Sequence, residues 1–143
     1  MKVISSLEDI KSYINDHKSD EIISLIPTMG NIHSGHIKLI KSASSSSLKI
    51  VSIYVNELQF DDRNDYISYP RTLAEDLSIC EDNNVDLVFT PDSSVVCKQI
   101  DFDKNDLPKF TTYMCGANRP GHFSGVYRIC LLYTSDAADD QLG

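Results

Sequence analysis

The chain has 143 residues, enough for one domain with its own core, with an ordinary apolar share of 41% and a formal net charge of -8 at pH 7. That balance argues against nonspecific attraction to nucleic acid or anionic lipid, which needs clustered Lys and Arg, but a local site can still hold a small anion. No apolar run is long enough to span a bilayer, the N-terminus MKVISSLEDIKSY turns polar too early for a signal peptide, and Cys80, Cys97, Cys115 and Cys130 form no CxxC pair, so a cytoplasmic protein with reduced thiols is expected.

In chain order, SSLEDIKSYI (5–14) opens with a capping box of Ser5 and Glu8 and continues with Leu7, Ile10 and Ile14 at helical spacing, predicting an amphipathic helix ending near His17. EIISLI (21–26) is a short run, apolar on both parities and bounded by Pro27, which predicts a buried parallel strand. A helix is predicted from about Gly35, with Ile37, Ile40 and Ala43 on one side, then a second buried strand, LKIVSIYV (48–55). Residues 56–72 have no period and many turn formers, predicting a long loop, with DDRND (61–65) solvated because it lacks the glycine and distal Glu of an EF-hand. Thr72 and Glu75 read as a second capping box, Leu73, Leu77 and Cys80 as a helical stripe, and VDLVF (85–89) as a third strand stopped by Pro91. Residues 92–114 carry no clear element, and CGANRPGHFSG (115–125) is a glycine-rich loop holding Arg119 and His122. Alternating strands and helices give an α/β fold, a Rossmann-like parallel sheet with flanking helices, whose ligands sit beyond the carboxyl ends of the strands.

PTMGNIHSGH, residues 27–36, lies at one such end. His33 falls just before the helix and His36 in its first turn, on one face. The first N–H groups of a helix lack intrahelical partners and, with the helix dipole, attract anions. Gly35 leaves room for close approach, so two imidazoles can reach a phosphate and stabilise charge on a leaving pyrophosphate. The same spacing suits a plain helix cap, or zinc, although no third ligand has recognisable spacing.

Five blocks resemble the pantothenate synthetase (pantoate–β-alanine ligase) family, a branch of the HxGH nucleotidyltransferase-like superfamily. PTMGNIHSGH resembles its nucleotide signature, VSIYVNELQF its V-S-I-F-V-N-P-x-Q-F, YPRTLAEDL its Y-P-R-T-x-x-x-D, VDLVFTP its V-D-x-V-F-x-P, and GANRPGHFSGV its G-x-x-R-P-G-H-F-x-G-V. The resemblance implies ligation of pantoate and β-alanine with ATP as co-substrate and Mg²⁺, through a pantoyl adenylate. It implies that His33 and His36 are catalytic contacts to ATP phosphates, that Met29 and Gly35 belong to the ATP site, and that Asn56 and Gln59 lie beside pantoate. Asn56 alone could merely end its strand in a turn. Arg119 and His122 are implied near the site without assigned roles. Asp76 falls where some members place Mg²⁺-linked acids, although acids in a first helical turn are also expected from capping alone. Beyond these small-molecule substrates no nucleic-acid or membrane partner is expected, and the resemblance implies a homodimer for the full-length protein.

Glu57 stands where the family has proline, Ser124 where arginine is common, and residues 92–110 match poorly. The family's later G-E-K-D-x-Q-Q and S-S-R-N blocks are not found, so residues 1–129 are expected to be the N-terminal part of the ATP/pantoate domain, truncated before its end, with little or no activity alone. Residues 130–143 are expected to be a non-native tail: Cys130 to Asp139 resembles the translation of a transposase adapter, and codons unlike that adapter in the encoding DNA would contradict this. An ordinary polar chain end is the plain alternative. Functional alternatives are another nucleotidylyltransferase of the superfamily and a non-catalytic nucleotide-binding module.

Overall fold

Strand sequences that are apolar on both parities need cover on both faces. Leu48–Ile53 and Leu87–Phe89 have it, whereas the expected buried strand at Ile23–Thr28 is an edge strand, with Ile26 buried on one face and Leu25 36% exposed on the other. The computed structural model describes residues 1–17, 22–45 and 47–94. Its elements are β1 (Lys2–Ile4), α1 (Leu7–His17), β2 (Ile23–Thr28), α2 (Ser34–Ser42), β3 (Leu48–Ile53), a 3-10 turn (Glu57–Gln59), α3 (Arg63–Ser68), α4 (Leu73–Asp82) and β4 (Leu87–Phe89). The strands pair in parallel in the order β1-β4-β3-β2, with Ile26 level with Val51 and Val51 level with Val88. Those three side chains share one face, where Ile40 of α2, Cys80 of α4, Ile32 and Val85 complete a core. Ile50, Leu87 and Phe89, of opposite parity, are buried on the other face, toward which α1 lies, since its Tyr13 ring sits 5.5 Å from Lys2 Nζ. Burial stabilises such side chains by about 1.5–3 kcal/mol each, the main reason this arrangement holds.

Local details depart from the sequence reading. β1 was not expected: three residues are too few to show a period. Ser5 does not cap α1; its hydroxyl meets Thr90 Oγ1 at 2.8 Å, joining the ends of β1 and β4, while Ser6 Oγ accepts from Asp9 N–H at 3.1 Å as the cap. Pro27 does not stop β2 but lies inside it, level with Ser52. Leu48 N–H bonds to Ile22 O and Tyr54 N–H to Thr28 O, so even-numbered residues of β2 face β3. Pro27, of odd number, therefore turns its donorless nitrogen to the outer side, where proline is tolerated.

The chain divides into two compact units, Met1–Val55 with Pro70–Asp92 and Asn56–Tyr69 with Ser93–Gly143. In the second, the expected loop contains the 3-10 turn and α3, which Asp62 caps by accepting from Asn64 N–H at 2.9 Å. The DDRND run is thus a helix start, with an Asp cap as its sequence signal. The Phe60 ring stands edge-on to Tyr66 and Tyr69 at centroid distances of 5.7 and 5.5 Å, closing this segment on itself. The 130–143 tail lies outside the described residues.

Candidate functional site

The turn after β2 is fixed one residue at a time. Thr28 Oγ1 donates to Ser52 O at 2.9 Å and accepts from Gly30 N–H at 3.1 Å. Gly30 (φ 75°) and Asn31 (φ 50°) both take left-handed backbone, the first by lacking Cβ and the second because Asn tolerates it. The chain then reverses, and Ile32 drops into the core. Asp76, nearly fully buried, lies under this turn: its carboxylate accepts from Asn31 N–H at 3.0 Å, Ile32 N–H at 2.8 Å and Thr72 Oγ1 at 3.2 Å. A Cβ on Gly30 would sit 2.9 Å from Asp76 Oδ2, so the glycine is required by space as well as by φ.

His33 follows in extended backbone as the N-cap of α2. Its Nδ1 accepts from Gly35 N–H at 3.0 Å, and His36 Nδ1 accepts from His33 N–H at 3.2 Å, a capping box made from two imidazoles. The rings lie 4.1 Å apart between centroids. Each Nδ1 is occupied as an acceptor, so in the neutral ring the proton is on Nε2, leaving Nε2–H as a donor on both. The cap and ligand-facing readings of the sequence are therefore compatible, because they use opposite nitrogens. A Cβ on Gly35 would come within 2.9 Å of His33 Cε1, so the room Gly35 leaves is occupied by the His33 ring itself.

His33 is exposed and His36 half-buried. Burial holds the His36 pKa below its usual value; the neighbouring His33 adds to this and the Asp76 carboxylate opposes it. The first turns of α1 and α4 carry acids (Glu8 and Asp9; Glu75 and Asp76), whereas that of α2 carries none. The first turn of α2 itself therefore adds no carboxylate that would repel an anion, and the nearby acid, Asp76, is buried beneath the preceding turn with its oxygens bonded to Asn31 N–H, Ile32 N–H and Thr72 Oγ1.

Met29, half-buried, lies in the same turn as Gly30. Asn56 and Gln59 belong to the second unit, where Gln59 N–H donates to Asn56 O at 3.1 Å across the 3-10 turn; Asn56 is 1% exposed. Arg119 and His122 lie outside the described residues. The Thr72–Glu75 box does not form, because the Thr72 hydroxyl goes to Asp76 and makes no cap bond. Sequence reasoning missed this use of Thr72 and Asp76, and also Thr28; the i, i+4 spacing of Thr72 and Asp76 was the available signal. Any metal at Asp76 would compete with three protein donors, and among the described residues no cluster of three His, Cys, Asp or Glu could hold one. Cys80 is buried and free, its thiol pushed up to about 11 by burial and then by Asp76, which makes it a packing residue rather than a nucleophile. Among the described residues, no helix is long and apolar enough to cross a membrane.

Known proteins resemble this chain in sequence and in fold. The family model described as pantoate-beta-alanine ligase matches residues 2–136. Pantothenate synthetase of Leptospira biflexa is 40% identical over 132 residues, covering 90% of this chain and 47% of the relative. That of Clostridium botulinum (strain Okra) is 41% identical over 128 residues, covering 88% and 46%. Among solved structures, the pantoate-beta-alanine ligase of Francisella tularensis, complexed with beta-gamma ATP and beta-alanine, superposes with a TM-score of 0.84 at 34% identity, covering 92% of this chain and 51% of its own. The pantothenate synthetase of Thermus thermophilus gives a TM-score of 0.80 at 31% identity, covering 93% and 48%. The chain thus spans about half the length of the relatives it matches.

Proposed function

Because the chain belongs to the pantoate-beta-alanine ligase family, we propose that it supplies the nucleotide-facing half of an ATP-dependent ligase joining pantoate to β-alanine. The observation that carries this is the start of α2: an acid-free first turn with two imidazoles whose Nδ1 atoms are spent on the cap and whose Nε2–H groups remain as donors. Those donors, set at the positive end of a helix, suit the phosphates of ATP. In the proposed reaction, pantoate's carboxylate attacks the α-phosphorus and the bond to the bridging oxygen breaks, giving pantoyl adenylate and pyrophosphate. The β-alanine amine then attacks the acyl carbon, AMP departs with the acyl–oxygen pair, and the amine loses its proton. His33 and His36 act in the first step by hydrogen-bonding phosphate oxygens as negative charge builds on them.

Asn56 and Gln59 are proposed to bind pantoate, their neutral amides pairing with hydroxyls and carboxylate without quenching its nucleophilicity. Met29 and Gly35 border the nucleotide in this reading, and Arg119 and His122 stand near it. Mg²⁺ is proposed to enter with ATP, bound to its phosphates. The 143-residue chain alone is proposed to have little or no ligase activity, as catalytic groups that act as a unit fail together when some are missing.

A chimera tests the assignment: residues 1–129 joined to the remaining half of the Leptospira biflexa relative. Pantothenate formation from pantoate, β-alanine and ATP is expected, and its loss in His33→Ala and His36→Ala. A soluble, folded chimera that adenylates a phosphorylated acceptor but not pantoate would overturn it and favour a different nucleotidylyltransferase.

A further inference from the structure

In the Gly30–Ile32 turn the consecutive N–H groups of Asn31 and Ile32 converge on one side, a nest-like concavity that suits an anion. In this chain the nest is filled from within. Asp76 reaches it from the first turn of α4, 44 residues away in sequence from Ile32, and is 2% exposed. Its carboxylate receives Asn31 N–H, Ile32 N–H and the Thr72 hydroxyl, and its Oδ2 occupies the space a Cβ on Gly30 would need. The next residue along is His33, which begins the imidazole capping box.

We propose that Asp76 is a positioning residue of the nucleotide site: its buried carboxylate anchors the Gly30–Ile32 turn and so sets the backbone from which His33 and His36 present their Nε2–H donors. It does this without touching the ligand. A carboxylate suits the place because it accepts from two converging N–H groups and a hydroxyl; an amide of the same size must turn its NH₂ toward one of those donors. An unpaired donor there costs more than a mean hydrogen bond contributes. Thr72 serves the same end, since its hydroxyl leaves the α4 cap to complete the shell around the carboxylate. Asp76 also acts on His36 through space, its charge opposing the lowering that burial and His33 impose on the His36 pKa.

This inference rests on the proposed function only for its consequence in nucleotide binding; the anchoring is read separately. The experiment uses the ¹⁵N-labelled 143-residue chain with Asp76→Asn and Thr72→Val. In Asp76→Asn, amide exchange at Asn31 and Ile32 is expected to rise about tenfold or more, and the His33 and His36 ring nitrogens to lose their fixed Nε2–H pattern. The Val51 and Val88 amides stay as protected as in the parent. Thr72→Val gives the same pattern at smaller amplitude and decides the matter alone if Asp76→Asn does not fold. The ATP titration midpoint rises about tenfold in Asp76→Asn. Unmoved turn amides and ring nitrogens, or ATP affinity retained despite a loosened turn, would overturn the proposal. So would a saturable shift at Asp76 on adding Mg²⁺ alone, which would make it a metal ligand. If the parent binds no ATP, the proposed function fails, while the amide and ring signals still decide the anchoring.

Discussion

The starts of α2 and α4 lie in the same unit and invite the same reading, a polar cap followed three residues later by its partner. They are solved in opposite ways. At α2 the box forms, from His33 and His36 rather than from a hydroxyl and a carboxylate, so the cap itself carries hydrogen-bond donors on its outer nitrogens. At α4 the standard-looking Thr72–Glu75 box does not form; the hydroxyl goes to Asp76, and Asp76 goes to the turn before α2. One helix gives up its cap so that the other can be held in place. A capping motif in a sequence states which bonds are available, and tertiary competition decides which are made.

Substitutions can break this contrast, and the largest effect is expected at Gly30. Gly30→Val meets both the left-handed backbone and the Asp76 oxygen, and should cost about 2–3 kcal/mol in urea unfolding. Thr72→Val should cost about 0.5–1.5 kcal/mol through the lost hydrogen bond, whereas Glu75→Ala should stay within about 0.5 kcal/mol. A Glu75 effect as large as that of Thr72 would restore the box the structure lacks. Gly35→Ala should be nearly neutral in stability, since a helix-propensity gain of about 0.5–1 kcal/mol offsets the displaced His33 ring, yet it should weaken ATP binding in titration.

The smallest effect is a pH slope. The fold lowers the His36 pKa, so the folded state favours the neutral ring and the unfolded state takes up the proton first. The stability from His36 is therefore complete above about pH 6.5 and is lost as pH falls through the lowered folded value. Urea midpoints measured from about pH 7.5 down to about 5 should show that loss, and His36→Gln, which keeps an acceptor at the same helical position, should flatten part of it.

Much of the fold was legible because burial on two faces leaves continuous apolar runs, as in β3 and β4; the similar run of β2 also gave a strand, reaching two residues further through Pro27, but an edge strand buried on one face only. β1 was not legible, as three residues with one apolar pair carry no period. Pro27 misled because its cost depends on which side of the strand its nitrogen faces, a fact of pairing and not of sequence. In the site, His33, His36 and Gly35 were visible through spacing, but what Gly35 makes room for is the His33 ring. Asp76 was visible as an acid in a first turn and invisible as an anchor, because its partners are backbone N–H groups that almost any residue would supply.

The central claim is that the start of α2 receives nucleotide phosphate through His33 and His36. Titration of ATP into the ¹⁵N-labelled chain tests it most directly, followed at the Gly35 amide and the two imidazole rings. Saturable shifts at all three, with one shared midpoint, and no comparable shift of the Gly35 amide when His33→Ala and His36→Ala are combined, are the predicted result. ATP binding that leaves those signals unmoved, or that is as tight in the double variant as in the parent, would contradict the account.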